Sequence, residues 1–144
     1  MNILFVCTGN TCRSPMAEAI LKSKKVKGVT VKSAGVFADN NSSASQNTIQ
    51  VLSEKGINQP HQSTLLTEEQ VNWATLILTM TAGHKQLVVS RFPQDRERVF
   101  TLNEYVNLST KDIMDPFGGP VEIYRETYKE LDLLIEGLVQ KLAD

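Results

Sequence analysis

Cysteine is scarce in this chain: its 144 residues hold only Cys7 and Cys12, five positions apart. That spacing excludes a long-range disulfide framework, but not chemistry between the two thiols. Charge of one sign is missing too, since 15 Lys and Arg against 16 Asp and Glu leave a formal charge of −1. A nucleic-acid binder carries a basic footprint, and overall there is none. No apolar run approaches the roughly 18 residues that span a bilayer. The opening MNILFV is too short for a secretory h-region and has no basic flank. The expectation is a cytoplasmic protein that engages neither membrane nor nucleic acid. Repeats and low-complexity blocks are also lacking, and the polar stretch 39–47 (DNNSSASQN) reads as a surface loop running into a helix start. What remains is ordinary globular composition, 41% apolar and 22% charged, at a length that fits one domain over residues 1–144.

Short apolar runs alternate with helical patterns along the chain. Residues 2–6 (NILFV) read as a buried strand, and Pro15 fits the first turn of a helix striped by Met16, Ala17, Ile20 and Leu21. Residues 29–33 alternate as a second strand closed by Ala34-Gly35, and 45–55 form a helix with Gly56 as its terminator. Thr67 and Gln70 have the spacing of a capping box. Residues 74–80 (ATLILTM) are the most apolar strand candidate, and so a central one. A helix over 84–92 stops at Pro93, 98–102 is a last short strand, and 121–142 is the final helix. Tyr124, Tyr128, Leu131, Ile135, Leu138 and Leu142 make one continuous face of that helix. The expected fold is a small doubly wound, flavodoxin-like α/β domain, a parallel four-stranded sheet with helices on both faces. In such sheets ligands bind outside the carboxyl ends of the strands.

The loop after the first strand reads Cys7-Thr8-Gly9-Asn10-Thr11-Cys12-Arg13-Ser14-Pro15. It enters a helix, where unpaired N–H groups and the helix dipole favour an anion. Arg13 adds a planar fork that matches phosphate oxygens, and the same positive surroundings are expected to lower the thiol pKa of Cys7. The spacing C-x5-R alone is a weak signal. Strand, Gly9, Ser14, Pro15 and helix together favour a nucleophile aimed at a phosphoryl group, while a buried structural cysteine remains the alternative.

VCTGNTCRSP (6–15) resembles the phosphate loop of the low-molecular-weight protein tyrosine phosphatases, and the likeness extends through Ser33-Ala34-Gly35, Gly56-Ile57-Asn58 and Asp115-Pro116-Phe117. The resemblance implies Cys7 as nucleophile, Arg13 as phosphate ligand and Asp115 as general acid, with neither cofactor nor metal. Thr8, Gly9, Asn10, Thr11, Cys12, Ser14 and Phe117 would then line the substrate site. Ser14 would donate to the Cys7 sulfur, and Asn10 would take the left-handed conformation a tight loop needs. Cys12 is either a core residue or, as the family suggests, a redox partner that captures oxidised Cys7. His61 is a satisfied histidine or, by the same resemblance, a hydrogen-bonding support of Asn10. His84 is read as structural, and Lys22, Lys24, Lys25 and Lys27 as a solvated face.

Thr11 departs from the bulkier aliphatic residue common in tyrosine-specific members. With Asp115-Pro-Phe-Gly-Gly119 it resembles the bacterial protein arginine phosphatase branch. A guanidinium leaving group suits a carboxylate that orients and protonates it and a ring that stacks on it. The expected substrates are phosphorylated proteins, with phosphoarginine ahead of phosphotyrosine. An arsenate reductase of this fold needs further cysteines, which the chain lacks. A phosphocysteine carrier has no use for Asp115, and a phosphoprotein-binding module none for the nucleophile.

Overall fold

The computed structural model describes residues 1–143. Four parallel strands, β1 (Asn2–Cys7), β2 (Thr30–Gly35), β3 (Leu76–Thr79) and β4 (Val99–Thr101), lie in the order β2-β1-β3-β4. The chain leaves β1 for one neighbour and later returns to β3 on its other side. The carboxyl end of β1 is therefore the point where strand order reverses, and Cys7 sits there opposite Gly35. Helices α1 (Arg13–Ser23), α2 (Gln46–Glu54), α3 (Glu68–Trp73), α4 (Ala82–Arg91), α5 (Leu102–Asn107) and α6 (Val121–Ala143) complete the layers.

Strand side chains alternate between faces, so β1 serves two cores. Ile3, Phe5 and Cys7 pack with Met16 and Ile20 of α1, Val51 of α2 and Leu131 of α6, whereas Leu4 and Val6 pack with Val71 of α3 and Val88 of α4. The apolar stripe of α6 is buried at Tyr124, Tyr128, Leu131, Ile135 and Leu138, and Leu142 is half-buried at its end.

Two sequence readings are corrected. Residues 98–102 hide a strand of only three residues followed by α5, which a Thr101/Glu104 capping box starts. Between α4 and β4 runs a 3-10 turn, Pro93–Arg98. The lysine run is not all solvated: Lys24 bridges Asp132 at 3.1 Å and Glu136 at 2.5 Å, tying the end of α1 to α6.

Candidate active site

The loop between β1 and α1 turns at Asn10, whose φ of 57° is the left-handed conformation expected of it. β2 runs close beneath. The carbonyls of Cys7 and Thr8 accept from Val36 N–H at 2.9 Å and Phe37 N–H at 3.0 Å, and that of Thr11 accepts from Ser45 N–H at 2.9 Å. These bonds turn the acceptors of the loop outward. A Cβ at Gly35 would stand 2.4 Å from the Thr8 carbonyl oxygen and 3.0 Å from the Asn10 nitrogen, so the approach needs glycine for its space. Gly9 is half-buried, and a Cβ there would meet only Thr11 Oγ1, at 3.8 Å. Cys12 is the N-cap of α1 and offers no side-chain cap, and no acidic residue occupies the first turn. The dipole of this end of α1 is therefore unopposed locally.

Every polar atom of the Asn10 side chain is engaged. Its Nδ2 donates to Ser14 Oγ at 2.8 Å and Ser33 Oγ at 2.9 Å, and its Oδ1 accepts from Thr64 N–H at 2.9 Å. Its carbonyl accepts from His61 Nε2 at 2.7 Å, the support that the family resemblance implied. Ser33 Oγ donates in turn to Glu18 at 2.5 Å. Because Ser14 Oγ already accepts from Asn10, its own proton is free for the Cys7 sulfur, 2.8 Å away.

Cys7 itself is 2% exposed. Burial pushes its thiol up from the ordinary value, and the Ser14 hydroxyl, the N–H groups of Ser14 and Asn10 and the Arg13 charge pull against it. The expected lowering is thus reversed here, because the sulfur lies on a desolvated floor and not on an open positive surface.

Arg13, 5% exposed, donates through Nη1 to the Ile113 carbonyl at 3.0 Å, and its Nη2 faces Asp115 Oδ2 at 3.6 Å. Asp115 is about half exposed, and its other oxygen accepts from Phe117 N–H at 3.1 Å. The Phe117 ring is 75% exposed. One segment before the last helix thus brings a carboxylate to the arginine and carries an exposed aromatic residue two positions further on. Thr8 is exposed, Thr11 half-buried and Ser14 fully buried. Cys12 is a free, buried thiol with Ser45 Oγ at 3.6 Å and Tyr124 Oη at 3.5 Å, and Cys7 is free as well. Among the described residues no cluster of three or more His, Cys, Asp or Glu could hold a metal ion.

His84 was read as structural from sequence, yet its Nε2 lies 2.8 Å from Thr8 Oγ1 beside Arg13. Glu18, Ser33 and Thr64 likewise support the loop without a local signal for that role. A cavity of about 790 Å³ opens beside α1 and is lined by Glu18, His61, Ile49 and Ile57, whereas Cys7, Arg13 and Asp115 lie outside it.

Known proteins resemble this chain in sequence and in fold. A protein-arginine-phosphatase of Geobacillus stearothermophilus is 54% identical over 97% of this chain and 95% of that protein. A low molecular weight protein-tyrosine-phosphatase PtpB of Staphylococcus haemolyticus is 44% identical over 94% of this chain and 95% of its own length. A solved variant of the YwlE arginine phosphatase, with a phosphorylated active-site serine, superposes with a TM-score of 0.98 at 48% identity, covering 100% of this chain and 97% of that one. The pattern described as low molecular weight phosphotyrosine protein phosphatase matches residues 2–144, which include the Cys7–Arg13 loop, the Asp115 segment and all four strands. With that match over nearly its whole length, the chain belongs to the low molecular weight phosphotyrosine protein phosphatase family.

Proposed function

We propose that residues 1–144 act as one cysteine-dependent protein arginine phosphatase domain, releasing phosphate from phosphoarginine in proteins. The observation that carries the substrate choice is the mouth of the site. There Asp115 presents a half-exposed carboxylate beside Arg13, and the Phe117 ring stands open two residues away. A planar cationic guanidinium offers an N–H donor to the acceptor oxygen of the Asp115 carboxyl, presents the nitrogen that the carboxyl can protonate, and gives that ring a flat charge to stack on. The protein-arginine-phosphatase relative at 54% identity supports the same choice. The PtpB relative at 44% identity keeps phosphotyrosine as the second reading.

On this reading the Cys7 thiolate attacks phosphorus in line, and the P–N bond to the arginine breaks as the S–P bond forms. Asp115, as the general acid, gives a proton to the leaving guanidino nitrogen. Arg13 and the N–H groups of residues 8–14 bind the phosphoryl oxygens, with Thr8, Gly9, Asn10, Thr11 and Cys12 shaping the cradle. In the second step the Asp115 carboxylate takes a proton from water as that water attacks phosphorus. The S–P bond then breaks, and Cys7 leaves as a thiolate held by the Ser14 hydroxyl. Cys12 is the resolving thiol: it attacks a Cys7 sulfenic acid, forms the disulfide and releases water. A reducing compartment such as the cytoplasm suits a nucleophile kept as a free thiol.

The test is kcat/KM on two peptides that differ only in carrying phosphoarginine or phosphotyrosine. The expected result favours phosphoarginine. A preference for phosphotyrosine overturns the substrate choice and leaves the cysteine mechanism standing.

A further inference from the structure

His84 lies in the first turn of α4, where its backbone N–H is capped by Thr81 Oγ1 at 3.1 Å. Its side chain is 6% exposed, and its Nε2 is 2.8 Å from the hydroxyl oxygen of Thr8, the residue that follows Cys7. The other ring nitrogen, Nδ1, is buried and has no hydrogen-bond partner among the described residues. Burial and the nearby Arg13 charge hold the imidazole down at about 4, so near neutral pH the ring is uncharged and bears a single N–H.

The location of that proton follows from cost. A proton on Nδ1 would leave a buried donor without an acceptor. On Nε2 it is used, and only a lone pair is left over, which is the cheaper defect. The Nε2–H therefore donates to Thr8 Oγ1. The same oxygen also accepts from Arg13 Nη2 at 3.5 Å. With two donors on its oxygen, the Thr8 hydroxyl has only its own proton left to give. Thr8 is exposed at the mouth of the loop, on the side where Arg13 faces Asp115.

We propose that His84 is a positioning residue for phosphoryl transfer: its Nε2–H fixes the Thr8 hydroxyl, which braces the Arg13 fork and donates its proton to a phosphoryl oxygen. The inference rests on the reading of Cys7 and Arg13 as the phosphoryl site. It adds a residue 76 positions from Thr8 that touches neither the sulfur nor the phosphate.

Variants at both positions separate this role from packing, with para-nitrophenyl phosphate as substrate and orthophosphate as competitive inhibitor. His84→Phe fills the space without a donor and is expected to lower kcat/KM about tenfold, with a matching rise in the orthophosphate inhibition constant. His84→Gln returns an N–H to the Nε2 position and should recover most of that loss. His84→Asn, whose amide reaches only the Nδ1 position, should not. Thr8→Val at the exposed partner should reproduce the loss, and adding His84→Phe to it should lower activity no further. An undiminished His84→Phe, equal behaviour of Gln and Asn, or losses that multiply in the double variant would overturn the proposal. Should His84→Phe fail to fold, Thr8→Val alone decides, because unchanged kcat/KM and inhibition there also overturn it. The wild-type protein and Cys7→Ser run alongside. A wild type without Cys7-dependent turnover sinks the phosphatase reading and this inference with it, whereas a flat His84 series in a Cys7-dependent enzyme sinks the inference alone.

Discussion

At the scale of single residues the site balances burial against hydrogen bonding. Cys7 is on the floor of the loop, where desolvation raises its thiol, and the opposing groups all come from the loop and the first turn of α1. Those groups were legible in the sequence because they lie within a few positions of one another. Asp115 was legible through its segment and not through spacing. The contacts of His84, Ser33 and Thr64 were not legible, because each reaches the loop from another element, and Glu18 acts on it through Ser33. Thr11 tests the specificity argument here. It is half-buried, with its hydroxyl 3.9 Å from the Cys12 sulfur, and an isoleucine would replace that hydroxyl by aliphatic bulk. Thr11→Ile is expected to shift the phosphoarginine to phosphotyrosine ratio of kcat/KM about tenfold toward phosphotyrosine, the scale of small apolar changes in a pocket. An unchanged ratio removes Thr11 as a selector.

At the scale of elements the loop depends on how closely β2 passes under it. Gly35 pairs with Cys7, and the two atoms a Cβ would strike most closely in the loop belong to its backbone, which cannot rotate away as a flexible side chain would. Gly35→Ala is therefore expected to cost about 2–3 kcal/mol, the scale of overpacking, and to lower turnover with it. Urea unfolding followed by circular dichroism measures the first quantity, and an unchanged midpoint contradicts the close approach. Secondary structure was read from sequence where an element was long and periodic, as in α6, or a bounded apolar run, as in β1. The short elements blurred together. A strand of three residues abutting a six-residue helix gave one apolar run, 98–102, although the Thr101-Leu-Asn-Glu104 capping signal was present. Local propensity over so few residues is too weak to separate the two.

At the scale of the whole molecule the order β2-β1-β3-β4 gathers the Cys7 loop, the Gly35 turn, the start of α4 and the Asp115 segment at one end of the sheet. Alternation of strands and helices predicted that architecture, and the polar contacts across it only the structure supplies. One of them has a pH signature. The imidazole of His84 is held at about 4 in the fold against an ordinary 6.5. Between those values the unfolded chain binds more protons at this site than the folded one. Stability from His84 is thus complete above about pH 6.5 and is lost as pH falls toward 4, to an extent on the order of 3 kcal/mol. Glu54, paired with Arg125 across α2 and α6 and held at about 2, contributes separate stability that is present above about pH 4.5 and is lost as pH falls toward 2. Urea midpoints from pH 7 to 4 should therefore decline less in His84→Gln than in the parent protein. Parallel declines in the two proteins contradict the buried, neutral imidazole.

The central claim is that Cys7 hydrolyses phosphoarginine in this cradle. The most direct measurement is inorganic phosphate released from a phosphoarginine peptide by the wild-type protein and by a folded Cys7→Ser variant, at equal concentrations and without added metal. Steady release by the wild type and none above the spontaneous rate by the variant is the expected result. No release by the wild type, or release that persists when the sulfur is gone, contradicts the account.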